Sequence, residues 1–309
     1  MQRSGVRHRI ACAYDVDESA LLTYSYNHHS AAISSVDLRS ITEEELAGHK
    51  ADTWLLSPPC QPFTPQGGML GSGDPRSGGL AHLIQLLADC SLDTLPKHLL
   101  LENVAGFESS AVRQHFVGVL RARGFDIREL WASPAHFRVP NQRTRYFLLA
   151  RRALPFLSVP AALAPLLLDA AVVERASTSE SERLPLPCGM PSDELQASCT
   201  ELGAFLLQHD DTEMAALRVA PHVLERYASA LDLVGRSSRR SCCFTKNYSR
   251  YIKGTGSVLL EGLHEGTTIP INKTPEGLLP FGPRFLSPRE IANLHGFPPS
   301  FEFPTLTRK

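Results

Sequence analysis

An α/β fold built on an open, doubly wound sheet is what this sequence predicts, and three observations carry that prediction. Short apolar runs recur at spacings of about forty residues, at Thr53 to Leu56, His98 to Leu101 and Tyr146 to Ala150, each the length of a buried strand. Stretches with helical apolar periodicity, Leu80 to Ala88 and Val112 to Leu120, lie between them. Groups that can do chemistry stand beside each run: the thiol of Cys60, the carboxylate of Glu102 and the guanidiniums of Arg143 and Arg145. Alternating strand and helix argues for a parallel sheet covered by helices on both faces. In such sheets ligands bind beyond the carboxyl ends of the strands.

The remaining elements follow in chain order. Asp15 or Asp17 is placed to cap a helix from Glu18 to Tyr26, and Thr42-Glu43-Glu44-Glu45 has capping-box spacing for a second. Ser57-Pro58-Pro59-Cys60-Gln61-Pro62-Phe63 puts one thiol on a turn that two prolines stiffen by fixing φ near -65°. Read alone, Cys60 is either a presented nucleophile or a buried structural cysteine, because free cysteine packs as a small hydrophobe. Gly67-Gly68, Gly71-Ser72-Gly73 and Gly78-Gly79 form a flexible loop, either a lid or a plain connector. Glu102 reads as a catalytic carboxylate or the cap of the next turn. Arg143 and Arg145 alternate on an extended segment and so share one face. Ala161 to Val173 is apolar but broken by proline and too short to span a bilayer. Glu174 to Ser198, rich in Ser, Glu and Pro, reads as a poorly ordered insertion, and Met214 to Leu233 as one helix. Ser287-Pro288-Arg289-Glu290 begins a capped helix that Gly296 ends.

With these residues in view, the chain resembles the C5-cytosine methyltransferases. SPPCQPF, LENVAGFESS and NQRTRYF occur in that family's order. Cys243-Phe244-Thr245-Lys246, running on through Tyr248, Tyr251 and Gly254-Thr255-Gly256-Ser257, resembles the signature of the Dnmt2-type subgroup, which methylates the anticodon loop of aspartate tRNA. The tail from Phe285 to Pro299 is similar as well, and the likeness is thinnest from about Pro155 to Ala220.

The resemblance implies a class I S-adenosylmethionine-dependent sheet with a smaller target-recognition region, divided as 1–152, 153–284 and a return at 285–309. It implies that the Cys60 thiolate adds to C6 of cytosine, so that C5 becomes nucleophilic enough to take a methyl group, splitting one hard step into easier ones. Glu102 would bond the N3 edge and exocyclic amine, Arg145 would contact O2, and Arg143 would orient the cysteine loop. On the cofactor side Ala11 to Tyr14 resembles the family's second strand, with Asp15 on the ribose hydroxyls and Val16 against adenine. Asp37, Leu38, Ser57 and Pro58 complete the expected S-adenosylmethionine contacts. The family opens with a strand and glycine-rich loop and closes with a Gly-Asn-Ser motif and helix that this sequence does not display. The chain is therefore expected to lack the first strand and to bind the cofactor weakly.

Composition sets broader limits. Seven cysteines without a CxxC pair argue against a disulfide framework and a zinc site, and with no signal peptide point to a reducing compartment, cytoplasm or nucleus. A net charge of -1 implies no global affinity for nucleic acid. Locally, however, Arg239, Arg240, Lys246 and Lys253 interleave with Tyr248 and Tyr251, which suits a phosphate track with base stacking or, more simply, a solvated loop. The expected partner is tRNA, with DNA as the alternative substrate and a nucleic-acid-binding but inactive form as the third reading. The chain is expected to be a monomer and to bind no metal or membrane.

Overall fold

The computed structural model describes residues 5–59, 78–152, 156, 166–167, 193–263, 270 and 272–304. It divides the chain into two compact units, one of residues 1–132, 145–189 and 300–309, the other of residues 133–144 and 190–299.

The first unit carries β1 (Cys12–Tyr14), α1 (Glu18–Asn27), β2 (Ala32–Ser34), α2 (Glu43–His49), β3 (Thr53–Leu56), α3 (Gly78–Asp89), β4 (His98–Val104), α4 (Ala111–Ala122), β5 (Phe125–Ala132) and β6 (Arg145–Arg152). Its strands form two sheets, β1 beside β2 and a four-stranded sheet in the order β3-β4-β6-β5. The sheet is mixed: β3 and β4 run parallel, whereas β6 runs antiparallel to both β4 and β5. This corrects the wholly parallel expectation. The missing signal was β5, whose Asp126 and Arg128 interrupt the apolar run that would have announced a strand.

Local chemistry explains the helices. Asp17 accepts from the amides of Ser19 and Ala20 and caps α1, and Thr42 accepts from Glu45 and caps α2. Gly78 and Gly79 open α3 rather than extending the glycine-rich loop, while the loop's earlier glycines lie outside the described residues. Helices α3 and α4 bury stripes spaced i, i+3, i+4, i+7: Leu80, Leu83, Ile84 and Leu87 on one, Arg113, Phe116, Val117 and Leu120 on the other. They pack with Leu99, Leu101, Phe125, Trp131, Tyr146 and Leu148 in one core.

Arg113 occupies a core position because it is paired. Its Nε donates to Glu129 Oε1 at 2.7 Å, its Nη2 bonds the other carboxylate oxygen, and the Tyr146 hydroxyl donates to the same group. Residues 300–304 return to this unit. Asn27 clamps Glu302, donating to its carbonyl and accepting from its amide, both at 2.8 Å, and the Tyr26 hydroxyl donates to its carboxylate at 3.1 Å.

The second unit contains α5 (Asp193–Ala197), α6 (Asp211–Leu217), α7 (Pro221–Tyr227), β7 (Asp232–Val234), β8 (Ser257–Leu260), α8 (Pro275–Leu278), β9 (Pro283–Arg284) and α9 (Pro288–Leu294), with its strands ordered β7-β8-β9. Two expectations are corrected here. The stretch 214–233 is not one helix, because Pro221 stops the first segment and starts the next, and the chain then turns into β7. Residues 193–197 are helical rather than part of a structureless insertion, whose residues 174–192 lie outside the described residues. Helix α9 begins as expected, with a reciprocal capping box between Ser287 and Glu290, and Gly296 ends it at φ +74°. No helix among the described residues is long and apolar enough to cross a membrane.

Glu290 also binds the buried Arg284, at 2.9 Å to each terminal nitrogen. Burial by itself would raise the Glu290 carboxyl, but hydrogen bonds from Arg284, Ser287 and Leu207 outweigh it and hold the group below its ordinary 4.5. A carboxyl depressed on folding stabilises fully above its unfolded value, and that contribution is lost as pH falls through the folded one. Glu290→Gln should therefore lower stability at pH 7, with the gap to wild type closing as pH drops below 4.5, measured by urea unfolding across pH. In the first unit, Arg113→Leu should cost about 3 to 5 kcal/mol by leaving Glu129 buried without its cation. Tyr146→Phe should cost only about 1 kcal/mol in the same assay.

Candidate active site

The geometry at the carboxyl end of β4 follows from strand register. Phe147 lies opposite Glu102, and Arg145 lies opposite Val104. Glu102 and Arg145 are thus diagonal neighbours on one face of the antiparallel pair, close enough for long side chains to meet. Arg145 Nε stands 3.1 Å from Glu102 Oε1. Their side chains keep 18% and 29% of their surface, so the pair is half-sheltered yet open to a ligand.

The intervening residues face the other way. Leu101 and Asn103 are buried beneath the helices, and Asn103 accepts from its neighbour Val104 at 2.9 Å while its Nδ2 reaches the Pro58 carbonyl at a long 3.5 Å. Asn103 thereby ties the Ser57-Pro58 segment after β3 to the strand that carries Glu102. Ser57 is exposed and Pro58 half-buried. Cys60, the predicted nucleophile, lies outside the described residues.

Arg143 does not share the partner of Arg145. It precedes β6, and its Nη1 donates to Cys243 Sγ at 3.4 Å. The expectation of one shared strand face is corrected accordingly, since regular strand geometry starts only at Arg145. The segment bearing Arg143 is fixed within the second unit by Gln142 N to Ser241 O at 2.8 Å and Ser241 Oγ to Pro140 O at 2.6 Å. Asn141 is buried, and neither of its side-chain polar atoms has a partner among the described residues. Sequence reading missed Asn103, Asn141 and Cys243 as supporting residues. An Asn beside Glu102 and another just before Arg143 were the available signal.

At the end of β1, Asp15 and Val16 project into solvent, Val16 with 65% exposure. Asp15 Oδ1 accepts from Asp17 N at 2.9 Å. Helix capping falls to Asp17, so a carboxylate and an apolar side chain remain displayed together at the strand end, a donor set that fits a ribose diol beside a planar base. Asp37 is engaged differently: its carboxylate accepts from Arg39 at 3.0 and 2.7 Å, and those bonds hold it below the usual carboxylate range. Leu38 packs where α3 begins, 3.4 Å from the position a side chain on Gly79 would take.

The predicted nucleic-acid residues separate into two kinds. Lys246, Tyr251 and Lys253 are exposed on a loop closed by Thr245 N to Thr255 O at 3.0 Å, and Arg250 joins them. Tyr248 is a correction. Its hydroxyl donates to Ser257 O at 2.5 Å and accepts from Leu286 N at 3.0 Å, and its ring meets Phe244 and Phe285 edge-on. Burial pushes its phenol well up, and it serves as the loop's anchor, not as a stacking platform. Gly256 permits that anchor: at φ +151° a Cβ there would sit 2.6 Å from both the Phe244 and Tyr248 rings. Arg240 is tied to Asp232 at 2.9 Å, whose second oxygen accepts from Ser257, while Arg239 pairs with Glu201 at 2.8 Å near the surface.

These strand-end groups belong to a recognised class. A family profile described as C-5 cytosine-specific DNA methylase matches residues 2–309, and the chain belongs to that family of methyltransferases. Among its relatives, the Bos taurus and Homo sapiens proteins named tRNA (cytosine(38)-C(5))-methyltransferase are 33% and 32% identical, covering 99% and 98% of this chain and 88% of their own lengths. A Dictyostelium discoideum protein named DNA (cytosine-5)-methyltransferase is 32% identical over 99% of this chain and 83% of its own length. The crystal structure of S. pombe Dnmt2 methyltransferase superposes with a TM-score of 0.77 at 26% identity, over 100% of this chain and 85% of that one. The fold is the class I methyltransferase fold, and the likeness is to the Dnmt2 type.

The division of labour between the loop tyrosines is testable by urea unfolding. Tyr248→Phe should cost about 1 to 3 kcal/mol, because it strands Leu286 N and Ser257 O. Tyr251→Ala should stay within about 0.5 kcal/mol of wild type, as a surface change away from any packed feature.

Proposed function

We propose that this enzyme transfers a methyl group to C5 of the anticodon-loop cytosine of a tRNA, cytosine 38, with aspartate tRNA the foremost substrate. The observation that carries the reading is the Glu102–Arg145 pair at adjacent strand ends, directly beyond the segment that leads to Cys60. The names borne by the bovine and human relatives support the choice of tRNA.

Each residue has a task that its chemistry suits. Cys60, as thiolate, adds to C6 and raises electron density at C5. Glu102 bonds the N3 edge and exocyclic amine of the base, and Arg145, already held against Glu102, contacts O2, so that charge developing on the ring meets preorganised partners. Arg143 orients the cysteine loop. S-adenosylmethionine, when bound, supplies an electrophilic methyl group. Asp15 and Val16 would hold its ribose and adenine, with Asp37, Leu38, Ser57 and Pro58 nearby along the chain. The target base has to be unstacked before a thiol can reach C6. Lys246, Tyr251 and Lys253 would then grip the loop, with Arg239 and Arg240 behind them in sequence. We place the monomeric enzyme in the cytoplasm or nucleus. The cysteines among the described residues are free, as a reducing compartment would leave them.

A DNA substrate is the second reading, favoured by the printed name of the Dictyostelium relative. Methyl transfer from labelled S-adenosylmethionine to a tRNA transcript and to duplex DNA separates the two. Label on the transcript is expected, abolished by Cys60→Ala and reduced about 100- to 1,000-fold by Glu102→Gln. Label on DNA alone would replace the RNA reading, and undiminished label with Cys60→Ala would remove the covalent mechanism.

A further inference from the structure

The second unit holds a cleft of about 740 Å³ whose lining includes Thr200, Glu201, Arg236, Ser237, Arg239 and Glu261. Its walls are two laced segments. Ser238 N donates to Gly235 O at 3.1 Å to form a turn with Arg236 and Ser237 at its corner, and Leu202 N and Gly203 N donate to Ser238 O and Arg236 O, each at 2.8 Å. Gly203 allows this approach, since a Cβ there would lie 3.2 Å from Arg236 O.

We propose that this cleft is a phosphate subsite for the RNA backbone, in which Arg236 and Arg239 take a phosphodiester and Glu201 is the internal anion that it displaces. The inference rests on the RNA-substrate reading above. Guanidinium forks match phosphate geometry, and the hydroxyls of Thr200 and Ser237 add donors of the kind that phosphate oxygens accept.

The two carboxylates of the cleft play unequal parts. Glu261 is shared: Arg236 Nε and the buried Arg284 Nε both donate to it, at 2.9 and 2.7 Å. Burial would raise its carboxyl, but those two arginines hold it below the ordinary range, so it stays ionised and fixes Arg236 in place. Among the described residues Glu201 pairs with one guanidinium, that of Arg239 at 2.8 Å, with side chains 48% and 44% exposed. Ion pairs that open contribute little, and salt screens them. A phosphate can replace Glu201 on Arg239 without stranding a buried charge, whereas it could not replace Glu261. Arg239 Nη1 is also bonded to the Cys199 carbonyl, which keeps the guanidinium at the cleft wall while its carboxylate partner exchanges.

The test is the salt dependence of binding to a tRNA transcript for wild type, R236Q, R239Q and E201Q, each checked for an unchanged melting temperature. Wild-type affinity should fall steeply between about 50 and 200 mM salt, and each arginine variant should lower the slope of log K against log salt by about 0.7 to 0.9. E201Q should bind the transcript more tightly than wild type, an outcome that misfolding cannot mimic. Arginine variants with the wild-type slope, or an E201Q variant that binds no better, would overturn the subsite while leaving the RNA reading intact. A wild-type chain that retains no transcript would instead defeat the RNA reading, and the subsite with it. If inorganic phosphate raises the melting temperature of wild type but not of R236Q or R239Q, and the RNA slopes are unaltered, the cleft binds free anions and the proposal fails.

Discussion

The register between β4 and β6 is the constraint on which the site depends. With Phe147 opposite Glu102 and Arg145 opposite Val104, the carboxylate and guanidinium meet on the face of the sheet turned away from the α3 and α4 core. A slip of one residue would turn Glu102 under the helices and bring Asn103 out. That slip is prevented from below, where Leu99, Leu101, Tyr146, Leu148 and Ala150 alternate into the core with α3 and α4. The same strands whose inner faces are packed thus aim their outer faces. Burial of Arg113 with Glu129 and Tyr146 adds a directional element, because only one alignment of β5 and β6 satisfies all three polar groups.

The second unit uses arginine–carboxylate pairing in two ways. Arg284 is enclosed, and two carboxylates, Glu261 and Glu290, share it, so losing either leaves charge without water. Arg239 pairs with Glu201 at a surface where water can take over from the carboxylate, and Arg236 reaches the same cleft while Glu261 holds it. The first arrangement fixes the shape of the unit, while the second leaves charge that a ligand can recruit. Glu261 joins them, one oxygen toward the buried cation and one toward the exposed one.

Much of this was legible in the sequence, for reasons that can be stated residue by residue. Strand β3 ending at Leu56, the start of β4 at His98 and the helices from Leu80 and Val112 were readable because their apolar spacing is regular, while β4 runs on past Leu101 to Val104. Capping at Thr42 and Ser287 was readable because those hydroxyls precede acidic first turns. Strand β5 was hidden, since the pairing of Glu129 with Arg113 makes a core position look polar. The role of Tyr248 was hidden as well. Its place among cationic residues resembles that of Tyr251, and only the bonds to Ser257 and, farther along the chain, to Leu286 tell the anchor from the displayed ring. The break in the helix at Pro221 was visible in principle, but the apolar periodicity on either side disguised it.

The clamp of Asn27 on Glu302 bears on the order in which the polypeptide acquires its structure during synthesis. These residues are 275 positions apart, and every residue of the second unit lies between them or within that span. A ribosome must therefore release nearly all of the described chain before this contact can form, so the first unit is completed late, after the second has had time to fold. The delay is one of time more than of free energy, because each doubling of a closed loop adds only about 0.6 kcal/mol. Until then α1 waits with the end of its polar face unclaimed, and the enzyme's two units mature as nested rather than successive bodies.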